Sequence, residues 1–141
     1  MSDNHPGQHR LARVQVVNWG TFDGYHQFPV ARRGFLITGN SGSGKSTLLD
    51  GISAVLMPSG SVKFNAAAQE TDKSGRNLVS YIRGAWRRDT DADTDTLVSS
   101  YLRDGATVSA IALTYRTDDD GTPTTLVKLM HLGRGKNAAS D

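Results

Sequence analysis

Eight consecutive residues have the types and spacing to hold a polyphosphate: Gly39-Asn40-Ser41-Gly42-Ser43-Gly44-Lys45-Ser46, a full match to G-x-x-x-x-G-K-[ST]. Glycines at 39, 42 and 44 let the main chain wrap closely around phosphate oxygens, so that successive amides from Ser41 to Thr47 point into one concavity. Lys45, the candidate catalytic residue, reaches the β- and γ-phosphates as a point charge and neutralises charge that shifts during transfer. Ser46 offers its hydroxyl to Mg²⁺, and Thr47 its hydroxyl and amide to the α-phosphate. The expected ligand is therefore Mg-ATP, with its phosphates held by residues 39 to 47. A glycine-rich turn with a helix-capping serine is the plainer reading of the same residues. The completeness of the match and its place between an apolar run and a helical pattern favour the phosphate loop.

Two elements must position such a loop. Phe35-Leu36-Ile37-Thr38 is a short apolar run ending at Gly39, which predicts a buried parallel strand feeding the glycines. From Lys45 onward, Leu48, Leu49, Ile52, Val55 and Leu56 recur at helical spacing until Pro58, which predicts a helix with one buried face. Upstream, Leu11 to Val17 alternates as a strand, Asn18-Trp19-Gly20 and Asp23-Gly24 supply turn chemistry, and Tyr25 to Val30 reads as the return strand. Downstream, residues 59 to 76 read as an irregular excursion. Leu78, Val79, Ile82 and Trp86 fit a short amphipathic helix, and Arg87 to Thr96 a solvated loop. Ala106 to Arg116 and Thr124 to Leu132 are strand-like on either side of a turn-rich stretch and should form a hairpin. The expected organisation is a flexible leader at 1–10, an ATP-binding lobe at 11–134 and a disordered end at 135–141.

Bulk properties narrow the classes. The chain of 141 residues suits one α/β unit, and 37% hydrophobic with 21% charged residues describes a soluble globular chain without a bilayer-spanning run. The polar first residues lack the apolar core of an export signal, which makes the cytoplasm the default location. Without cysteine there are no disulfides or thiolate metal sites. A net charge of +2 does not by itself argue for nucleic acid. His5 and His9 are four apart but sit in a Pro/Gly leader ill suited to a helical metal site. Four alternating aspartates, from Asp89 to Asp95, lack the glycine and closing glutamate of a calcium loop.

Hydrolysis is supported less well than binding. A Walker-B element needs an apolar strand ending in an aspartate, yet the best apolar runs, Ser109 to Tyr115 and Leu126 to Met130, are followed by Arg116 and His131. A base-reading Asn-Lys-x-Asp is absent too.

The stretch Gly39 to Leu56, with Asn40 and Asp50, resembles the P-loop and following helix of the ABC-type heads of SMC-like ATPases. Val16 to Phe22 with its return strand is similar to that family's N-terminal hairpin, Arg76 to Gly84 to its next helix, and Ala106 to Leu132 to its antiparallel strands. Within the family the likeness is nearest to the SMC-like ATPases of the bacterial Wadjet plasmid-defence system, carried by Phe64 to Gln69 and Val79 to Trp86. The resemblance implies an α/β P-loop NTPase fold: the N-terminal lobe of a head with added antiparallel strands, present as a fragment without signature motif or Walker B. It implies ATP and Mg²⁺ as ligands, a second head lobe or a homodimer partner, kleisin-type and accessory subunits, DNA contact, and no membrane. It also implies DNA translocation, loop formation or plasmid defence as the work of the intact assembly. It places Arg76, or else Lys73, near the nucleotide phosphates, against the commoner fate of a solvated surface cation. Gln69 is not aligned with the family's Mg-contacting glutamine, which normally follows the later hairpin. Trp19 and Trp86 could stack on a base, although packing is the commoner fate, and Arg32-Arg33 and Arg87-Arg88 could touch DNA phosphate, although they also suit soluble loop ends. A small stand-alone P-loop kinase or NTPase is the competing reading, its base drawn from the scattered aspartates.

Overall fold

A computed structural model describes residues 7–58, 61–62, 64, 77–90, 97–119 and 121–135, with backbone alone at 87–90 and 97–99. Strands β1 (Arg10–Trp19) and β2 (Phe22–Pro29) form the first hairpin. Helix α1 (Lys45–Leu56) and the short helix α2 (Leu78–Arg83) follow. Two further hairpins, β3 (Ala85–Thr90) with β4 (Leu97–Tyr101) and β5 (Thr107–Arg116) with β6 (Thr124–Leu132), complete the described elements. The main sheet has the order β2-β1-β5-β6, and every neighbouring pair in it is antiparallel.

The period-2 pattern of β1 and β5 sets the layers. Val14 and Val16 stand opposite Leu113 and Ile111 across the β1–β5 ladder, and all four are buried. Met130 and Leu132 of β6 extend that face, and α1 and α2 cover it with Leu48, Ala54, Tyr81 and Ile82. The opposite face is open among the described residues: Tyr25, Val108, Val127 and Leu129 are exposed, and Gln15 donates to the Tyr25 hydroxyl, which donates in turn to Gln27 (2.7 and 2.9 Å). Asn18 makes the β1–β2 corner. It bulges at φ +50°, a left-handed conformation that asparagine tolerates. Its side chain accepts the Gly24 amide (2.9 Å) and donates to the Val108 carbonyl (3.0 Å), pinning the corner to β5.

Three expectations need correction. Residues 35–38 form no strand: Phe35 and Leu36 are 46% and 84% exposed, because no described strand lies beside them to pair with their backbone and bury them. The second helix stops at Gly84, whose φ of +67° closes it after two donations from its own amide, to Ser80 and Tyr81. Trp86 therefore sits on β3, exposed, and much of the expected solvated loop at 87–96 is hairpin; residues 91–96, with three of the four aspartates, lie outside the described residues. Finally, α1 has the expected bounds but turns a different face inward. Thr47, Leu48, Asp50, Gly51 and Ala54 are buried, while Leu49 and Leu56 are exposed.

Ile111 lies at the centre of the buried face with no exposure. Ile111→Ala is expected to lower unfolding free energy by about 2–5 kcal/mol, read from the shift of the urea midpoint at unchanged slope.

Candidate phosphate-binding site

The loop is built where extended chain must turn into helix. Gly39 has φ +155°, and a Cβ there would stand 2.6 Å from Ser43 Oγ. Gly44, the residue before α1, has φ +93°, and a Cβ on it would strike the Phe22 ring at 2.9 Å. The hairpin thus seats an aromatic ring directly under the last glycine, and only a residue without a side chain fits. Phe22 is held in turn by edge contact with Phe28, the ring centroids 5.4 Å apart.

The start of α1 is left open electrostatically. No side chain caps it, its first turn contains no acid, and the first backbone bond runs from the Leu48 amide to the Gly44 carbonyl (2.9 Å). The amides of Lys45, Ser46 and Thr47 precede that bond, so the positive end of the helix dipole has no compensating group of its own and suits an anion. Lys45 bends back over the loop. Its ammonium donates to the carbonyls of Gly39 (2.6 Å) and Asn40 (2.7 Å) and to Ser43 Oγ (3.3 Å), while the Ser43 amide closes a turn on the Asn40 carbonyl (3.2 Å). Ser41 and Gly42 form the exposed tip, with Gly42 at φ +81°. Ser46 is exposed beside them and Thr47 is buried.

The structure therefore brings together all nine predicted loop residues, Gly39 to Thr47. Arg76, Lys73 and Gln69 lie outside the described residues. Arg32 is turned to a structural use, pairing with Asp118 (2.9 Å), which also binds Arg10 (3.1 Å) and so ties the segment before the loop to the sheet end. Trp19 is wholly buried, as packing required.

Sequence reasoning missed the back of the site. The Trp19 indole N–H donates to the Thr47 carbonyl (2.8 Å), Trp19 stacks on Tyr81 (centroids 4.6 Å apart, planes 10° apart), and the Tyr81 hydroxyl donates to Asp50. Arg103, its side chain only 10% exposed, donates to the carbonyls of Gly20 (2.7 Å), Ile82 (2.8 Å) and Tyr81 (3.2 Å) and pairs with Asp23 (3.0 Å). A glycine at 51 in a helix, which costs propensity, was the available signal: a Cβ there would lie 2.9 Å from the Trp19 nitrogen.

Residues 11–71 match the family model described as the P-loop containing region of AAA domain. This chain carries a P-loop NTPase-type nucleotide-binding region. The match covers less than half of the chain, and comparison with curated proteins finds no match. No helix among the described residues is long and apolar enough to cross a membrane.

The donor set fits Mg²⁺ in the manner of such a loop. Among the described residues no group of three or more His, Cys, Asp or Glu could hold a metal ion; the exposed hydroxyl of Ser46 beside the loop is an oxygen donor of the kind Mg²⁺ takes, and would hold the ion together with phosphate oxygens and water. Bound there, the ion would neutralise charge between phosphates.

Gly44→Ala is expected to destabilise the fold by about 1–3 kcal/mol, from left-handed strain together with the Phe22 clash. Phe22→Leu in the same chain should recover only the part due to the clash, leaving a deficit measurable by chemical denaturation.

Proposed function

We propose that the chain is the Walker A lobe of an SMC-like ATPase, binding Mg-ATP as one face of a nucleotide site that another segment completes. The observation that carries this reading is the junction at residues 35–47. Its glycines, ammonium group and uncapped helix start form a phosphate cradle, while the segment leading into it exposes Phe35 and Leu36 and has no ladder partner among the described residues. An unpaired apolar segment beside a ligand site is what a lobe presents when neighbouring strands come from elsewhere.

The division of labour follows from the residues present. Main-chain amides of the loop bind phosphate oxygens, Lys45 leaves its carbonyl partners for the β- and γ-phosphates, and Ser46 meets the metal. The two long apolar strands β5 and β6 do not close on an acid: β5 ends at Arg116 and β6 at Leu132. Activation of water is accordingly assigned to a partner, either a second head lobe or a second copy of the chain. In this reading the lobe works with kleisin-type and accessory subunits on DNA, in translocation, loop formation or plasmid defence. The sequence likeness of residues 11 to 134 supports it.

Calorimetric titration of Mg-ATP and Mg-GTP into the purified chain, with phosphate release followed in parallel, tests the proposal. Binding of Mg-ATP with negligible release is expected, weakened about tenfold or more in Lys45→Ala because a charge-assisted contact is lost. Sustained turnover by the isolated chain would instead establish a self-sufficient kinase or NTPase.

A further inference from the structure

Thr47 is gripped from behind. Its carbonyl accepts the Trp19 indole N–H (2.8 Å), and its methyl lies where a Cβ on Gly20 would come within 2.4 Å. Gly51, one turn further along α1, leaves room for the indole to reach that carbonyl. The indole is fixed by its stack on Tyr81, whose hydroxyl returns to α1 at Asp50, three residues beyond Thr47. The main chain of Tyr81 is fixed too, because its carbonyl accepts the Gly20 amide (2.8 Å) and Arg103. The path leaves α1 at Thr47 and rejoins it at Asp50, through two aromatic rings that are both buried.

We propose that Trp19 and Tyr81 are positioning residues for the nucleotide phosphates, holding the first turn of α1 in helical form through the Thr47 carbonyl and the Asp50 carboxylate. This rests on the phosphate-binding reading above. The physical need arises from the helix start itself, which has no side-chain cap and no first-turn acid and would fray if left alone. Amides that fray do not converge on a phosphate, and apparent affinity falls by the fraction of molecules in which the turn is open. Side-chain anchors behind the helix supply the order that a cap would supply in front, and they leave the front free for the ligand. A buried tryptophan could satisfy its N–H on any carbonyl. Here it does so within the residues that line the cradle.

Hydrogen exchange on the ligand-free chain tests the positioning without reference to nucleotide. In Trp19→Phe, and in Tyr81→Phe, which keeps the ring, amides of Leu48 to Gly51 are expected to exchange about tenfold faster, with sheet amides at Val16, Ile111 and Leu113 keeping wild-type protection. Unchanged exchange at Leu48 to Gly51 in both variants, or an equal rise in sheet and helix, overturns the proposal, the second result marking mere core packing. Mg-ATP titration of the folded variants should show binding about fivefold weaker than wild type, and wild-type affinity in both would also overturn it. Failure of the wild-type chain to bind Mg-ATP would remove the phosphate-binding reading, while the exchange result would still decide whether these residues order the turn.

Discussion

The site depends on a helix that begins without a cap. A helix N-terminus has amides with no partner inside the helix, and most sequences answer with a serine, threonine, aspartate or asparagine just before it. Here the preceding residue is Gly44, which has no side chain to offer, so those amides remain open to an anion. Other local features follow from that choice. The turn must be made by left-handed glycine, the ring of Phe22 must sit under it, and the helix must be held by its far side.

The far side is where the fold invests its aromatic residues. Trp19, Tyr81 and Phe64 form one cluster, with Phe64 5.1 Å from the Tyr81 ring and 6.1 Å from Trp19. Such rings supply large buried area with few rotatable bonds. Arg103 reinforces the same region by a different means. A cation at the C-terminal end of α2 meets the Tyr81 and Ile82 carbonyls of its last turn and the negative end of the helix dipole, and Asp23 balances its charge. Gly84 is required beside it: a Cβ there would lie 2.6 Å from the Gly20 carbonyl and 2.7 Å from Arg103 Nη2.

Local chemistry made much of this legible. The P-loop spacing located Gly39 to Thr47, the apolar period and Pro58 bounded α1, and the alternation of β5 and β6 around a turn gave their hairpin. What depended on distant partners did not show. The pairing of β1 with β5 joins segments about a hundred residues apart, and nothing in either strand's own pattern names the other. The inward face of α1 was misread for the same reason. Leu49 and Leu56 are apolar but face away from the sheet, whereas Asp50 is buried because Tyr81, 31 positions later, supplies it with a hydrogen bond. Residues 35–38 were misread in the opposite direction, since apolarity signals a need for burial and does not guarantee that the covering strand is at hand.

That last difference bears on how the cradle works. A phosphate loop is anchored at two ends, by the strand that enters it and by the helix that leaves it. In this chain the leaving end is fixed by buried hydrogen bonds and stacking, whereas the entering end has Phe35 and Leu36 exposed and meets the core through Ile37 alone, with the Arg32–Asp118 pair tying the residues before it to the sheet. An ion pair with one partner well exposed contributes little rigidity. The entering end is therefore the less firmly held of the two, and Lys45 draws the carbonyls of Gly39 and Asn40 toward its own ammonium group. Nucleotide must displace those contacts before the ammonium can meet its phosphates, which lowers affinity relative to a lysine already free.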